Sequence, residues 1–359
     1  MKRSNHFIAD GFRIAMAYIG TVVGAGFATG QEIMQFFTRF GIHSFWAILI
    51  SALLFVLVGR SILLNGRRLN AKSYGSLADS IFGWAGSLVN LYLGITFILI
   101  CGAMFAGAGA LFQEQWGVPY MLGASATALL TLVVTLRGIK GVLAVNSIIV
   151  PLLVGFSLLI FCFVAGRGYS PAVSVDASPL DVFSLLRTGT TYASFNLVLS
   201  IGVLAPMGRE PQSEKALSLG SILGGTVLGL LLVMGNYTLL CFIPEIYHRE
   251  IPQLAAVSRM GSFFIIIYSL VVWAEIFTTA VGNLFSIHTV AQEKLRVSSP
   301  LPAVAATVFG LIICMLGFSN IVSWFYPALG IIGFALSAIL LVQIIRGRKN
   351  DKIKPYSRK

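Results

Sequence analysis

Charged residues are scarce in this sequence. Only 11% of its 359 residues are Asp, Glu, Lys or Arg, whereas 57% are apolar, and a soluble domain carries roughly 25% charged residues. So few charges cannot cover the apolar surface in water, which excludes a soluble globular protein. Apolar stretches of about 20 residues recur, the length that crosses a ~30 Å hydrocarbon core. The sequence therefore predicts an all-α, polytopic membrane protein.

Cysteine and histidine are also scarce, with four of each. The cysteines lie in apolar segments without metal-ligand spacing, which indicates small buried hydrophobic residues. The histidines are scattered, and no paired aspartates or serine–base arrangement lies at membrane depth. We therefore expect no enzyme and no cofactor other than a bound Na+. The residues concerned are Cys101, Cys162, Cys241, Cys314, His6, His43, His248 and His288.

The net charge of +12 does not indicate nucleic-acid binding. Most Lys and Arg residues fall on the predicted loops of one membrane face, where anionic lipid sits. Because basic residues are retained on the cytoplasmic side during insertion, we predict a cell (inner) membrane protein with both termini in the cytoplasm. The N-terminus has no small-residue cleavage site after a short apolar region, so we expect the first helix to be retained.

Hydropathy predicts about ten transmembrane helices in a single domain covering 1–359, with no room for a folded soluble domain. They lie at about 7–40, 44–64, 84–112, 120–136, 141–165, 188–207, 217–242, 261–291, 302–316 and 321–345.

The first helix contains the segment GTVVGAGFATG at 20–30, followed by Gln31 and Glu32. Each glycine weakens a helix by roughly 1 kcal/mol relative to Ala, so the backbone is expected to unwind near mid-membrane. Unwound backbone at that depth must line a protein cavity or bind a ligand. The alternative is close packing of helices through small residues, and we favour a binding break at Gly24 and Gly26.

A second break is predicted in helix 6, where Ser200 and Gly202 interrupt the helix and Pro206 ends it. Interrupted helices at positions 1 and 6 of ten are expected for two inverted repeats of five helices. The repeats would cover about 7–166 and 187–346, followed by a tail at 347–359.

Helix 8 carries a polar stripe that should face the bundle interior. Glu275 lies near its middle, where an ionised carboxylate costs ~2.5 kcal/mol or more. We favour a role in ion or proton coupling, with a protonated structural acid and ordinary interhelical hydrogen bonding as the alternatives. The stripe consists of Glu275, Thr278, Thr279, Gly282, Asn283 and Ser286.

The segment VVGAGFATGQE, together with the ten-helix layout, resembles the YkvI-like bacterial membrane proteins and, through them, the LeuT-type amino-acid, polyamine and organocation transporters (APC superfamily). The resemblance implies a substrate between helices 1, 3, 6 and 8 and a sodium ion between helices 1 and 8. Phe27 replaces the amide of a second sodium site found in some LeuT-type proteins, so one coupling ion is expected. By motif, the sodium ligands are the carbonyls of Gly20, Val23 and Glu275 and the hydroxyls of Thr278 and Thr279.

The substrate is predicted from the expected cavity. Amides at 25–28 and 200–202, with the positive ends of half-helices, would favour a carboxylate, so an amino acid is a natural candidate. Gln31 and Glu32 are candidate gate or vestibule residues. The candidate substrate-binding residues are Ala25, Gly26, Phe27, Phe105, Phe195, Ser200 and Gly202, with Tyr192 and Asn196 as further lining residues.

These patterns predict a secondary transporter of a small polar solute, an amino acid or a related carboxylate or amine, driven by sodium or protons through alternating access. Broken helices suit an occluded site better than an open channel. The alternative left open is a sensor or receptor subunit on the same fold that binds a solute without transporting it.

Overall fold

A computed structural model describes residues 2–172, 181–210, 213–248, 251–296, 298–317 and 321. This part of the chain is helical and contains no strand. The predicted tenth helix, at about 321–345, and the tail at 347–359 lie outside the described residues, apart from Ile321. The α-helices are α1 (Lys2–Val22), α2 (Ala25–Thr29), α3 (Gln31–Phe36), α4 (Ser44–Arg68), α5 (Tyr74–Phe82), α6 (Gly86–Trp116), α7 (Tyr120–Thr135), α8 (Ile139–Gly166), α9 (Val182–Arg209), α10 (Glu214–Leu240), α11 (Leu254–Val257), α12 (Ser262–Leu295) and α13 (Leu301–Cys314).

The all-α membrane architecture is confirmed, and the helix ends follow local capping. α9 begins at Val182, earlier than predicted, because the Asp181 carboxylate accepts a 3.0 Å hydrogen bond from the Phe183 amide. Similarly, the Ser73 hydroxyl accepts from the Gly75 amide at the start of α5. Such N-caps satisfy amides that lack a partner within the helix. The two short helices α5 and α11 were not predicted.

Among the described residues, six helical segments are long and apolar enough to cross a membrane. α7 and α13 are shorter apolar helices. Large apolar side chains such as Leu53, Leu57 and Leu88 are exposed on the outside of the bundle, as expected where a protein meets lipid. The six segments are Thr38–Arg68, Tyr74–Trp116, Ile139–Gly166, Val182–Arg209, Glu214–Leu240 and Ser262–Leu295.

Close helix packing places α9 against α4. A side chain at Gly208 would put its Cβ 2.1 Å from the Leu63 carbonyl oxygen, and one at Gly189 would lie 2.5 Å from the Ala47 carbonyl oxygen. Small residues allow backbones to approach this closely in membrane bundles. On the other side of the core, α12 packs against α6, α7, α8, α9 and α13 and also touches α1 and α2. The polar stripe of α12 therefore lies inside the bundle.

Candidate binding site at the helix break

The predicted interruption of the first helix is present. The last regular bond of α1 runs from the Val23 amide to the Ile19 carbonyl at 2.8 Å, and no bond joins the Gly24 amide to the Gly20 carbonyl. Gly24 is extended (φ −121°, ψ −173°). The break therefore frees the Gly20 carbonyl from its usual helical partner.

The position of the break corrects the predicted unwinding at 25–28. These residues belong to the five-residue helix α2, in which the Ala28 amide donates to the Gly24 carbonyl at 2.9 Å. The interruption is at Val23 and Gly24. The interruption is short, because helical hydrogen bonds resume directly after Gly24. Only the first three amides of α2 lack an intrahelical acceptor.

Two hydroxyl groups of α12 hold the two ends of α2. The Thr279 hydroxyl donates to the Val23 carbonyl at 3.2 Å, and the Tyr268 hydroxyl donates to the Ala28 carbonyl. Tyr268, Glu275 and Thr279 are spaced i, i+7 and i+11, so they share one face of α12. Glu275 lies between the two contacts and is fully buried. Neither of its carboxylate oxygens has a hydrogen-bond partner among the described residues.

Of the residues predicted as sodium ligands, Val23, Glu275, Thr278 and Thr279 meet at this junction, and Gly20 lies about one turn earlier in α1. The Val23 carbonyl and the Thr279 hydroxyl are in contact across the two helices, while the Thr278 hydroxyl donates to the Glu275 carbonyl at 3.0 Å within α12. Carbonyl and hydroxyl oxygens suit a hard cation. In the described part of the chain, no group of three or more His, Cys, Asp or Glu side chains is arranged to hold a metal ion. The atoms that meet at this junction are oxygens, and a hard-cation site here is a hypothesis.

A cavity of about 40 Å³ adjoins the break, room for a few water molecules. It is enclosed by the end of α1, the break, α2, α3, α6, α9 and α12. Its lining residues are Thr21, Val22, Gly24, Ala25, Gly26, Glu32, Ile100, Met104, Phe195, Asn196, Leu199, Thr279, Gly282 and Asn283.

Three of the predicted substrate-binding residues, Ala25, Gly26 and Phe195, line this cavity, and Phe27 does not. Phe105 also lies elsewhere, fully buried against α13, where a Cβ at Gly310 would be 2.8 Å from its ring. The side of α6 that faces the cavity carries Ile100 and Met104 instead, which are spaced i and i+4. One residue further along a helix turns the side chain by about 100°, which carries Phe105 away from the cavity.

The predicted break in helix 6 is wrong, because α9 runs continuously from Val182 to Arg209. The Ser200 hydroxyl donates to the Leu197 carbonyl at 2.9 Å within the helix. Gly202 is a packing glycine, since a Cβ there would lie 2.0 Å from the Ser286 hydroxyl oxygen. Pro206 lies close to the C-terminal end, so its missing amide costs the helix one bond and does not end it.

In the part of the chain that the structure describes, Glu32 is the one charged residue that lines the cavity. Gly30 adopts a left-handed conformation (φ 86°) between α2 and α3, which glycine accommodates without strain. The turn carries the Glu32 side chain back over α2, where a Cβ at Gly26 would lie 2.4 Å from its Oε1 atom. The Tyr192 hydroxyl donates to Glu32 Oε2 at 3.4 Å. Gln31, the other predicted gate residue, does not line the cavity.

Sequence reasoning missed Thr21 and the apolar contacts from Ile100, Met104 and Leu199. Apolar residues in a membrane helix carry no signal that separates a cavity wall from a lipid-facing or packed surface. Thr21 lies beside the glycine-rich segment and could have been included on that ground.

Two proteins of Bacillus subtilis (strain 168) are similar along nearly the whole chain. The membrane protein YkvI is 34% identical over 332 residues, covering 92% of this chain and 94% of YkvI. The chain belongs to the YkvI family. YyaD is 22% identical over 334 residues, covering 92% of this chain and 96% of its own length. No family model matches the sequence.

Solved structures establish the fold of this YkvI-family chain. MhsT in complex with L-phenylalanine superposes with a TM-score of 0.67 and 16% identity, covering 93% of this chain and 87% of MhsT. A substrate-bound, outward-open Na+-coupled sialic acid symporter gives 0.66 and 13%, covering 93% and 78%. Mhp1 bound to bromovinylhydantoin gives 0.57 and 14%, covering 92% and 75%. The chain has the LeuT-type fold.

Proposed function

We propose that this protein is a secondary transporter that binds a small polar solute at the helix break, where the cavity widens to admit it, and moves it by alternating access, coupled to sodium or to protons. One observation carries the proposal: a broken helix whose Val23 carbonyl accepts a hydrogen bond from an α12 hydroxyl, beside a cavity that Glu32 and Asn196 line. Broken helices at membrane depth typically bind ions and substrates. MhsT and the sialic acid symporter, which have the same fold, are consistent with this function.

The charge of the cavity favours a substrate with a positively charged nitrogen. Among the described residues, Glu32 lines it, and no Lys, Arg or His does. An ammonium group next to Glu32 and Tyr192 would form charge-assisted hydrogen bonds, which are stronger than neutral ones. The described residues offer a substrate carboxylate no cationic side chain there, only the free amides at the start of α2. The solute is therefore an amino acid or a related amine rather than a simple acid.

Coupling is assigned to the α12 face that holds α2. A cation bound between Gly20, Val23 and Thr279 would join α12 to the broken helix. Alternatively, a proton on Glu275 would remove a buried charge that has no partner in the described part of the chain. In either case, loss of the coupling ion would loosen the contacts of α12 with the Val23 and Ala28 carbonyls and allow α2 to move.

A ligand screen followed by an uptake assay tests the proposal. The melting temperature of the purified protein is measured with amino acids and amines, each in sodium and in potassium chloride, because a ligand that binds the folded state raises stability by mass action. The stabilising solutes are then tested for accumulation in proteoliposomes under sodium and pH gradients. Accumulation driven by either gradient is expected. A solute that binds but is neither accumulated nor exchanged would contradict transport and favour the sensor alternative.

We further propose that both termini face the cytoplasm of the cell that carries this membrane protein, from the distribution of basic residues. A cysteine placed at Lys294 should then react with an impermeant reagent only from the cytoplasmic side, and one at Asp181 only from outside. Reaction of both positions from the same side would contradict the orientation and the helix count between them.

A further inference from the structure

Asn146 of α8 is a buried polar residue that the site described above does not use. Its side chain is 1% exposed, and its Oδ1 atom has no hydrogen-bond partner among the described residues. Leaving such an acceptor unsatisfied costs about 1–3 kcal/mol. An amide oxygen at this depth therefore calls for a partner that the described part of the chain does not supply.

The unpartnered oxygen points at the last turn of α1. A Cβ at Gly20 would lie 2.1 Å from Asn146 Oδ1 and 2.8 Å from Val150 Cγ2. Any side chain at position 20 would displace the amide. Gly20 is also the residue whose carbonyl the break releases. The free side-chain oxygen of Asn146 in α8 therefore lies beside a residue of α1 that has a free backbone carbonyl.

The register of α8 and α12 brings Asn146 to the height of the α12 hydroxyls. Phe156 stacks on Tyr268 with ring centroids 5.4 Å apart, while Val142 belongs to one cluster with Val281 and Phe285. Low residue numbers in α8 thus meet high numbers in α12, and the helices run antiparallel. Moving about 15 Å along each helix from the stacked rings leads to Asn146 on one and to Thr278 on the other.

We propose that Asn146 Oδ1 is a further ligand of the coupling cation, so that α8 completes a site formed with α1 and α12. This inference rests on the proposed function, because it extends the same ion site. A neutral amide oxygen is a ligand that hard cations accept, together with carbonyls and hydroxyls. Binding the cation would satisfy the buried Asn146 oxygen and, at the same time, tie α8 to the broken helix.

Sodium-dependent stability of purified Asn146→Leu tests the assignment. The melting temperature is measured over a series of sodium chloride concentrations, with potassium chloride keeping the ionic strength constant. Wild-type protein should be stabilised by sodium, and the variant should need at least a tenfold higher sodium concentration for the same shift. Without sodium the variant should be as stable as wild type or more so, because an apolar group of similar shape replaces an unsatisfied acceptor.

Asn236→Leu is a matched control, since Asn236 is also buried but donates to the Ser44 hydroxyl at 2.7 Å and accepts from the Thr38 hydroxyl at 3.1 Å. It should melt at a lower temperature in both salts while keeping the wild-type response to sodium. If Asn146→Leu does not fold, Asn146→Asp at pH 8 replaces it, and several-fold tighter sodium binding is expected.

The outcomes separate this inference from transport itself. A wild-type sodium response in Asn146→Leu, or an unchanged sodium affinity in Asn146→Asp, overturns the ligand role of Asn146 and leaves transport standing. A wild-type protein that does not respond to sodium overturns the sodium site as a whole. A third outcome is that sodium stabilises the wild-type protein, Asn146→Leu abolishes this response, and no uptake is found. That outcome overturns transport and leaves the ligand role of Asn146 standing.

Discussion

Two glycine-containing segments, one in the first helix and one in α9, carry the same prediction of a helix break and have opposite structures. The chain leaves helical geometry at Val23 and Gly24, whereas α9 continues through Ser200 and Gly202. A Cβ at Gly24 would meet its nearest neighbour, the Thr279 hydroxyl oxygen, at 3.4 Å, an ordinary contact. At Gly202 the nearest atom, the Ser286 hydroxyl oxygen, is only 2.0 Å away.

A binding break and a packing contact differ in the room around the glycine and in the partner of the nearby hydroxyl. At the break, glycine has room around it, and a hydroxyl on another helix bonds the released Val23 carbonyl. In α9, Gly202 has no room, and the Ser200 hydroxyl bonds within its own helix. Both contacts come from the polar stripe of α12, through Thr279 and Ser286, which are seven residues apart and share one face of the helix. Variants along α12 and its two partners can therefore test each half of the comparison.

The largest effect is expected for Glu275→Gln, on the α12 face that holds the broken helix. If the carboxylate carries a proton or binds the cation during the cycle, glutamine keeps its shape but cannot be charged. Driven accumulation of the substrate should be lost, while exchange across the membrane continues. Accumulation and counterflow measured in the same proteoliposomes, across pH and sodium concentration, check this prediction.

Glu293→Gln is the control for that experiment, because Glu293 lies near the C-terminal end of α12, where the Ser73 hydroxyl donates to it. It should keep driven accumulation. Wild-type accumulation by Glu275→Gln would mean that Glu275 is a buried neutral acid with a structural role.

The second prediction compares the two glycines directly. Gly202→Ala forces a methyl group into the space of Ser286 and should destabilise the protein by about 1–3 kcal/mol. Gly24→Ala introduces its methyl group at contact distance on an extended backbone that alanine adopts readily, so the change should stay within about 0.5 kcal/mol. Melting temperatures in the same detergent provide the comparison. Equal destabilisation would show that Gly24 is also a packing glycine.

The sequence predicts much of the fold because apolar stretches of membrane-spanning length report helices directly. It also predicts the polar stripe of α12, since an acid and two threonines at helical spacing cannot face lipid. It fails at Ser200 and Gly202, where the same small residues serve packing, and only the neighbouring Ser286 distinguishes packing from a break. Phe105 and Asn146 show the same limit, because the face that a residue presents to a neighbouring helix depends on tertiary contacts.

A smaller effect is expected for the two threonines of the predicted sodium site. Thr279→Val removes the bond to the Val23 carbonyl and should lower stability without sodium by about 0.6 kcal/mol. Thr278→Val loses a bond inside α12 only, so its stability without sodium should match wild type. Both should respond more weakly to sodium, since each loses an oxygen ligand. If the melting temperatures of both variants respond to sodium as the wild-type protein does, the two hydroxyls are not sodium ligands and serve only helix packing.

The smallest effect is expected for Ser200→Ala, which tests the continuous helix. The Ser200 hydroxyl bonds the Leu197 carbonyl of its own helix and does not line the cavity. Its removal should therefore change stability by no more than about 0.5 kcal/mol and leave ligand affinity unchanged.

Asn196→Ala, one turn earlier, removes an amide that does line the cavity. Loss of one hydrogen bond of about 0.5–1.5 kcal/mol would weaken binding by up to about tenfold. Calorimetric titration of both variants with a stabilising amine measures the difference, and a tenfold loss in Ser200→Ala would restore the predicted break at Ser200 as part of the binding site.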